Sequence, residues 1–250
     1  MRRFSTVTLV AGLMLGFTAC AGGGAPDHEA AQSTEPVPRP KLSEFYATAL
    51  DDMAELETLR LSGWFTDDGQ RIDVQMQLSK RGDCHGNLQL GDTGSFDLIG
   101  VDDEYFLKPD ATFWRSQVGA RADKVMSLVD DRWVSVPADM GKAFRRFCDL
   151  GRFLDGLAKR SPDSSKATGQ PQVINDVDAW LFHETSGHDI PPPMYWISAN
   201  APHQILKIDN PYGPASDAYE LAGFDEQLDA ARPADTDIVD LADLMGSETV

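Results

Sequence analysis

Three cysteines are the residues best placed to do covalent chemistry: Cys20, Cys84 and Cys148. Cys20 follows Phe17-Thr18-Ala19, the end of an uncharged, mostly apolar run from Phe4 that Arg2 and Arg3 precede. That run suits a signal peptide better than a membrane span, because a span needs roughly 20 apolar residues. Small residues directly before a cysteine resemble a bacterial lipobox, in which Cys20 is acylated and becomes the mature N-terminus. An ordinary secretory signal with a chance cysteine is the alternative. In an exported chain the remaining pair, Cys84 and Cys148, is most simply a disulfide; two separate buried thiols are the alternative. No C-x-x-C occurs, which argues against a thiol-redox centre.

The other reactive side chains form no catalytic pattern. His183-Glu184-Thr185-Ser186-Gly187-His188 spaces its histidines five apart, whereas zinc proteases need them four apart on one helix face. No G-x-S-x-G elbow, phosphate-binding loop or dinucleotide fingerprint is present. The sequence therefore implies no metal, no cofactor and no enzyme. Without Arg2 and Arg3, 20 basic side chains face 40 acidic ones, a net charge of −20. That balance argues against nucleic acid and against a basic patch on anionic lipid. Nothing in the sequence names a protein partner.

The elements that position these residues follow from periodicity. Residues 1–19 read as the signal peptide and 20–41 as the acylated cysteine and a tether. Gly22-Gly23-Gly24, Pro26, Pro36, Pro38 and Pro40 leave that tether too few large apolar groups to fold. Leu42 to Leu59 has apolar residues at spacings of three and four and is predicted to be a helix. From Leu61 to Trp114 the period changes to two. Ile72, Val74, Met76 and Leu78 point one way, and Asp73, Gln75 and Gln77 the other. Cys84, Leu88 and Leu90 continue the pattern, and turns fall at Asp102-Asp103 and at Pro109-Asp110, with Thr112-Phe113-Trp114 as a further strand. Gln117 to Val129 reads as a short helix or a lid. Asp139 is expected to cap a long helix running to Lys159, with Phe144, Phe147 and Cys148 on its apolar side. A second β-region spans Val173 to Phe224, and residues 241–250 close the chain as an acidic tail. The expected fold is α+β, one large antiparallel sheet wrapped about helices over residues 42–240.

These features resemble the actinobacterial lipoproteins of the LppX/LprG type, which share the LolA/LolB half-barrel. The resemblance rests on Cys20 with its tether, Leu61-Ser62-Gly63 opening a strand, Asp103-Glu104-Tyr105-Phe106-Leu107-Lys108 with Phe113-Trp114, and Asp131-Arg132-Trp133-Val134-Ser135-Val136-Pro137. The region Phe224 to Asp237, with Pro233, resembles the closing strand. The resemblance implies a half-barrel held to the membrane by a lipid anchor, with an apolar cavity for acyl chains and hence a lipid ligand. In this sequence Ile72, Val74, Met76, Leu78, Leu88, Leu90, Phe144 and Phe147 would line it. The competing expectation is a fully packed half-barrel acting as an interaction or sensing module without lipid.

Overall fold

The computed structural model describes residues 39–162, 167–183, 192–210, 212, 216–241 and 244. Cys20, the signal region and most of the tether lie outside these residues, as does the segment from Glu184 to His188.

The chain begins with α1 (Leu42–Met53). Leu42, Tyr46, Ala49 and Met53 form its buried stripe. The helix is shorter than its apolar spacing predicts. Leu56 falls in the following turn, and Leu59 belongs to β1 (Thr58–Asp67), where it alternates with Leu61. Leu59 satisfies both periods, and pairing with Leu78 across the sheet selects the strand.

An antiparallel meander follows: β2 (Gln70–Ser79), β3 (Cys84–Leu90), β4 (Ser95–Val101) and β5 (Glu104–Pro109). The alternation in β2 has its expected consequence, with Ile72, Val74, Met76 and Leu78 all buried. Asp102 and Asp103 both take positive φ, as a two-residue turn between twisted strands requires.

Thr112-Phe113-Trp114 is not a strand. It lies in α2 (Ala111–Val118). The reason is Asp110, whose Oδ1 accepts the Phe113 N–H at 2.6 Å and so caps the first turn. Its Oδ2 accepts the Ser95 N–H and hydroxyl at 3.0 and 2.9 Å, which ties the helix start to β4. Burial opposes ionisation of Asp110, yet these bonds from Phe113 and Ser95 hold its pKa below the usual carboxylate value. Its contribution is therefore complete above the ordinary carboxylate pKa and is lost as pH falls through the lowered one. Asp110→Ala should cost about 1 kcal/mol and fray α2, as capping substitutions do. Amide exchange across residues 111–118 measures this, and unchanged protection would refute the cap.

Next come α3 (Ala122–Val129), β6 (Trp133–Ser135), α4 (Ala138–Cys148) and α5 (Leu150–Lys159). The single long helix expected over residues 139–159 is two. Asp149 is extended, forms a parallel bridge with Ser79, and accepts the Arg152 N–H at 3.0 Å as the cap of α5. A contact with the end of β2 thus breaks a helix that its own periodicity would continue. Pro137, not Asp139, precedes α4, and Asp139 sits in its first turn.

The second β-region comprises β7 (Gln170–Ile174), β8 (Val177–His183), β9 (Met194–Ser198), β10 (Ile205–Asn210) and β11 (Asp217–Ala222). β11 pairs with β1, joining both regions into one sheet, twelve-stranded among the described residues. The residues from Phe224 to Asp237 form no closing strand. They cross the outer face, where Gln77 Nε2 donates to Gln227 O at 3.0 Å and Arg232 Nε to Glu104 Oε2 at 3.0 Å. This strap delivers β12 (Ile238–Asp240) to the far edge, where it runs parallel to β6. The sheet order is β12-β6-β5-β4-β3-β2-β1-β11-β10-β9-β8-β7. The other strand pairings among the described residues are antiparallel, and the result is an open α+β half-barrel with α1, α4 and α5 against its apolar face.

Candidate functional site

Cys84 and Cys148 are joined, with an S–S distance of 2.08 Å and Cα atoms 4.9 Å apart. Both are fully buried. The bridge fastens the last turn of α4 to the start of β3. Gly100, opposite Cys84 in register, makes the room, since a Cβ there would lie 3.1 Å from each sulfur. Gly141 lets the same helix approach Tyr105, whose ring would be 3.0 Å from a Cβ at that position. The pairing was legible in the sequence. The two glycines that allow it were not, because only the packed structure shows what stands opposite them.

The eight predicted cavity residues divide into three groups. Ile72, Met76 and Leu88 are buried in the continuous core, and Leu90 packs against it. Val74, Leu78 and Phe147 border an inner cavity of about 210 Å³ between β1, β2, β11 and the α4–α5 pair. Phe144 borders a larger cavity of about 390 Å³ at the other side of α4.

The larger cavity is mainly built by residues that periodicity did not mark. β5 and β6 supply Leu107, Pro109 and Val134 as its floor, followed by Val136. Phe113, Trp114, Gln117 and Val118 of α2 form one wall, with Arg121 and with Val125 of α3. Met140 and Phe144 of α4 form another, and Leu241 and Leu244 close it after β12. Trp114 of α2 and Ala122 and Val129 of α3 pack on Val134 of β6 in a small core separate from the main one. Apolar surface reaches solvent at the edge of the cavity, with Met140 46% exposed. Leu241 and Leu244, expected in an acidic tail, are part of this wall.

The inner cavity is more polar at its rim. Leu61, Phe65, Val74, Leu78, Phe147 and Phe153 line it together with Tyr219, Asp67, Arg146 and Arg160. Arg160 is hydrogen-bonded to the buried Asp217, which also accepts from Asn210 Nδ2 at 3.3 Å. Burial pushes the Asp217 carboxyl up, and the Arg160 charge only partly offsets it. The Tyr219 hydroxyl is likewise pushed up by burial. Among the described residues no group of three or more His, Cys, Asp or Glu side chains is placed to hold a metal ion.

An open half-barrel with helices on its apolar face is the fold of lipoproteins of the LppX/LprG type. Two of the structure neighbours are mycobacterial members of that group. LprF from Mycobacterium bovis matches with a TM-score of 0.51 at 13% identity, over 79% of this chain and 100% of that one. Mycobacterium tuberculosis lipoprotein LppX matches with a TM-score of 0.46 at 13% identity, over 76% and 98%. At these identities the likeness is one of fold. No protein-family model matches the chain, and no curated protein matches it either.

Proposed function

We propose that this chain is an extracytoplasmic lipoprotein, anchored through acylated Cys20, that binds or carries a lipid or another lipophilic molecule. The observation that carries the reading is the cavity of about 390 Å³ between α2, α3, α4 and β5–β6. Its volume lies in the range of small-molecule sites, roughly 300–1,000 Å³. Burial of apolar area supplies the affinity, at about 0.8 kcal/mol for each methylene removed from water. Gln117 and Arg121 are the polar side chains of the lining. Among the described residues the lining holds no Ser, Cys, His, Asp, Glu or Lys side chain, which favours binding over catalysis.

The test is mass spectrometry of the protein purified from membranes, before and after delipidation and refolding. A stoichiometric lipophile in the first sample, restored on incubation with extracted lipid, is the expected result. Protein that never carries one, and that captures a stoichiometric protein partner instead, would favour the packed interaction module.

The anchor has its own test. Cys20→Ala should move the protein from the membrane to the soluble fraction. One acyl chain holds a protein only marginally, whereas two or more hold it stably. A Cys20→Ala protein that still resists washing from membranes would refute the anchor.

A further inference from the structure

The inner cavity has a composition that the larger one lacks: an apolar floor with two guanidinium groups at its edge. We propose that it is a separate subsite for an anionic amphiphile, a single apolar chain with a carboxylate or phosphate head. The chain would lie on Leu61, Val74 and Leu78 among the rings of Phe65, Phe147 and Phe153, and the head would meet Arg146 and Arg160.

The charges at the edge favour this ligand. Asp217, the partner of Arg160, keeps its side chain 6% exposed while that of Arg160 is 56% exposed. The carboxylate is therefore hidden behind the guanidinium, which also meets the Tyr219 hydroxyl and is more than half exposed to solvent. Asp67 is the carboxylate of the lining itself. It lies 3.5 Å from Arg146, with both side chains about half exposed. Such a pair is weak and screened by water, so an incoming anion can replace Asp67 as the partner of Arg146. The Arg146 guanidinium is steadied meanwhile by the Phe147 ring, 4.6 Å beneath it. A planar guanidinium suits carboxylate and phosphate alike, because its parallel N–H groups match two oxygens. In a protein with a large excess of acidic side chains, two arginines at one apolar opening select the sign of the ligand.

This subsite is distinct from the larger cavity, and α4 lies between them. Arg146 and Phe147 face the inner cavity, and Met140 and Phe144 the larger one. The two sites can therefore be occupied and impaired independently.

Titration calorimetry of the secreted Cys20→Ala protein tests the proposal, with dodecanoate, dodecanol and dodecylamine as probes below their aggregation limits. Dodecanoate should bind about tenfold more tightly than dodecanol, the size of effect that charge-assisted hydrogen bonds give, and dodecylamine most weakly. Arg146→Gln should remove most of that preference and leave dodecanol binding as it was. Arg160→Lys keeps a charge beside Asp217, so the fold survives while the fork is lost, and it should weaken dodecanoate as well. Val118→Trp, which fills the larger cavity, should leave dodecanoate binding intact. Equal affinity for dodecanoate and dodecanol, or dodecanoate binding indifferent to Arg146→Gln, would overturn the subsite. Loss of dodecanoate binding in Val118→Trp would place that ligand in the larger cavity, ending the subsite but sparing the proposed function. Failure of every probe to bind would count against both.

Discussion

Replacing Cys84 and Cys148 together by serine should lower the stability of the domain by about 4 kcal/mol, the chain-entropy value for closing a loop of this length. The bridged residues are 64 apart in sequence, so the unbridged unfolded chain gains a large loop's worth of freedom. For a domain of this size each kcal/mol moves the melting temperature by roughly 2–4 °C, and a fall on the order of 10 °C is expected. Thermal and denaturant unfolding of the double variant, compared with the parent under oxidising conditions, measure it. The parent treated with reductant should fall toward the variant. A loss below about 1 kcal/mol would mean that the packing of α4 against the sheet suffices and that the bridge constrains little in the unfolded chain. Membrane anchoring should be unaffected, since Cys20 belongs to a separate part of the chain.

A second pair of variants separates cavity from core. Val125→Trp places a ring where the larger cavity now is, and it should abolish binding of a lipophile while the melting temperature stays near that of the parent. Val125 is only partly buried and borders the open volume, so the added atoms have somewhere to go. Leu88→Trp should do the reverse. Leu88 is 1% exposed in the continuous core, and enlarging a packed side chain costs about 1–3 kcal/mol through strain. The paired readings are bound lipophile by mass spectrometry and melting temperature. If Leu88→Trp abolished binding at unchanged stability, the ligand would lie beneath α4 and not beside α2–α3. If Val125→Trp destabilised the protein with no ligand to lose, the space would be a defect in packing and not a site.

The contrast between these variants follows from what periodicity can report. A period of two says which side chains of β2 share a face, and Ile72, Val74, Met76 and Leu78 do share one. It does not say whether a helix or a ligand covers that face. The answer depends on how closely α4 approaches, which Gly100, Gly141 and the Cys84–Cys148 bridge decide together. The larger cavity was less legible still. Phe113 and Trp114 looked like strand residues, and only the Asp110 cap turns them into a helix wall. Leu241 and Leu244 reach the cavity because the strap from Phe224 onward first crosses the outer face of the meander, past β2 and β5. No local pattern encodes such a path.

The sequence alone determined the α+β class, the meander from β2 to β5, the buried side of β2 and β3 and the cysteine pair, because all of these arise from neighbours a few residues apart or from a simple count. The resemblance that pointed to a half-barrel rested on the same local patterns. Tertiary structure alone decided where α1 ends, that Asp149 splits one helix into two, that β12 joins the edge in parallel, and which face of α4 meets a cavity. Each of these is a contest between a local preference and a contact made from far along the chain: Leu59 with Leu78, Asp149 with Ser79, Ile238 with Trp133. Local propensities differ by less than about 1 kcal/mol per residue, so pairing and burial gained across the sheet outweigh them.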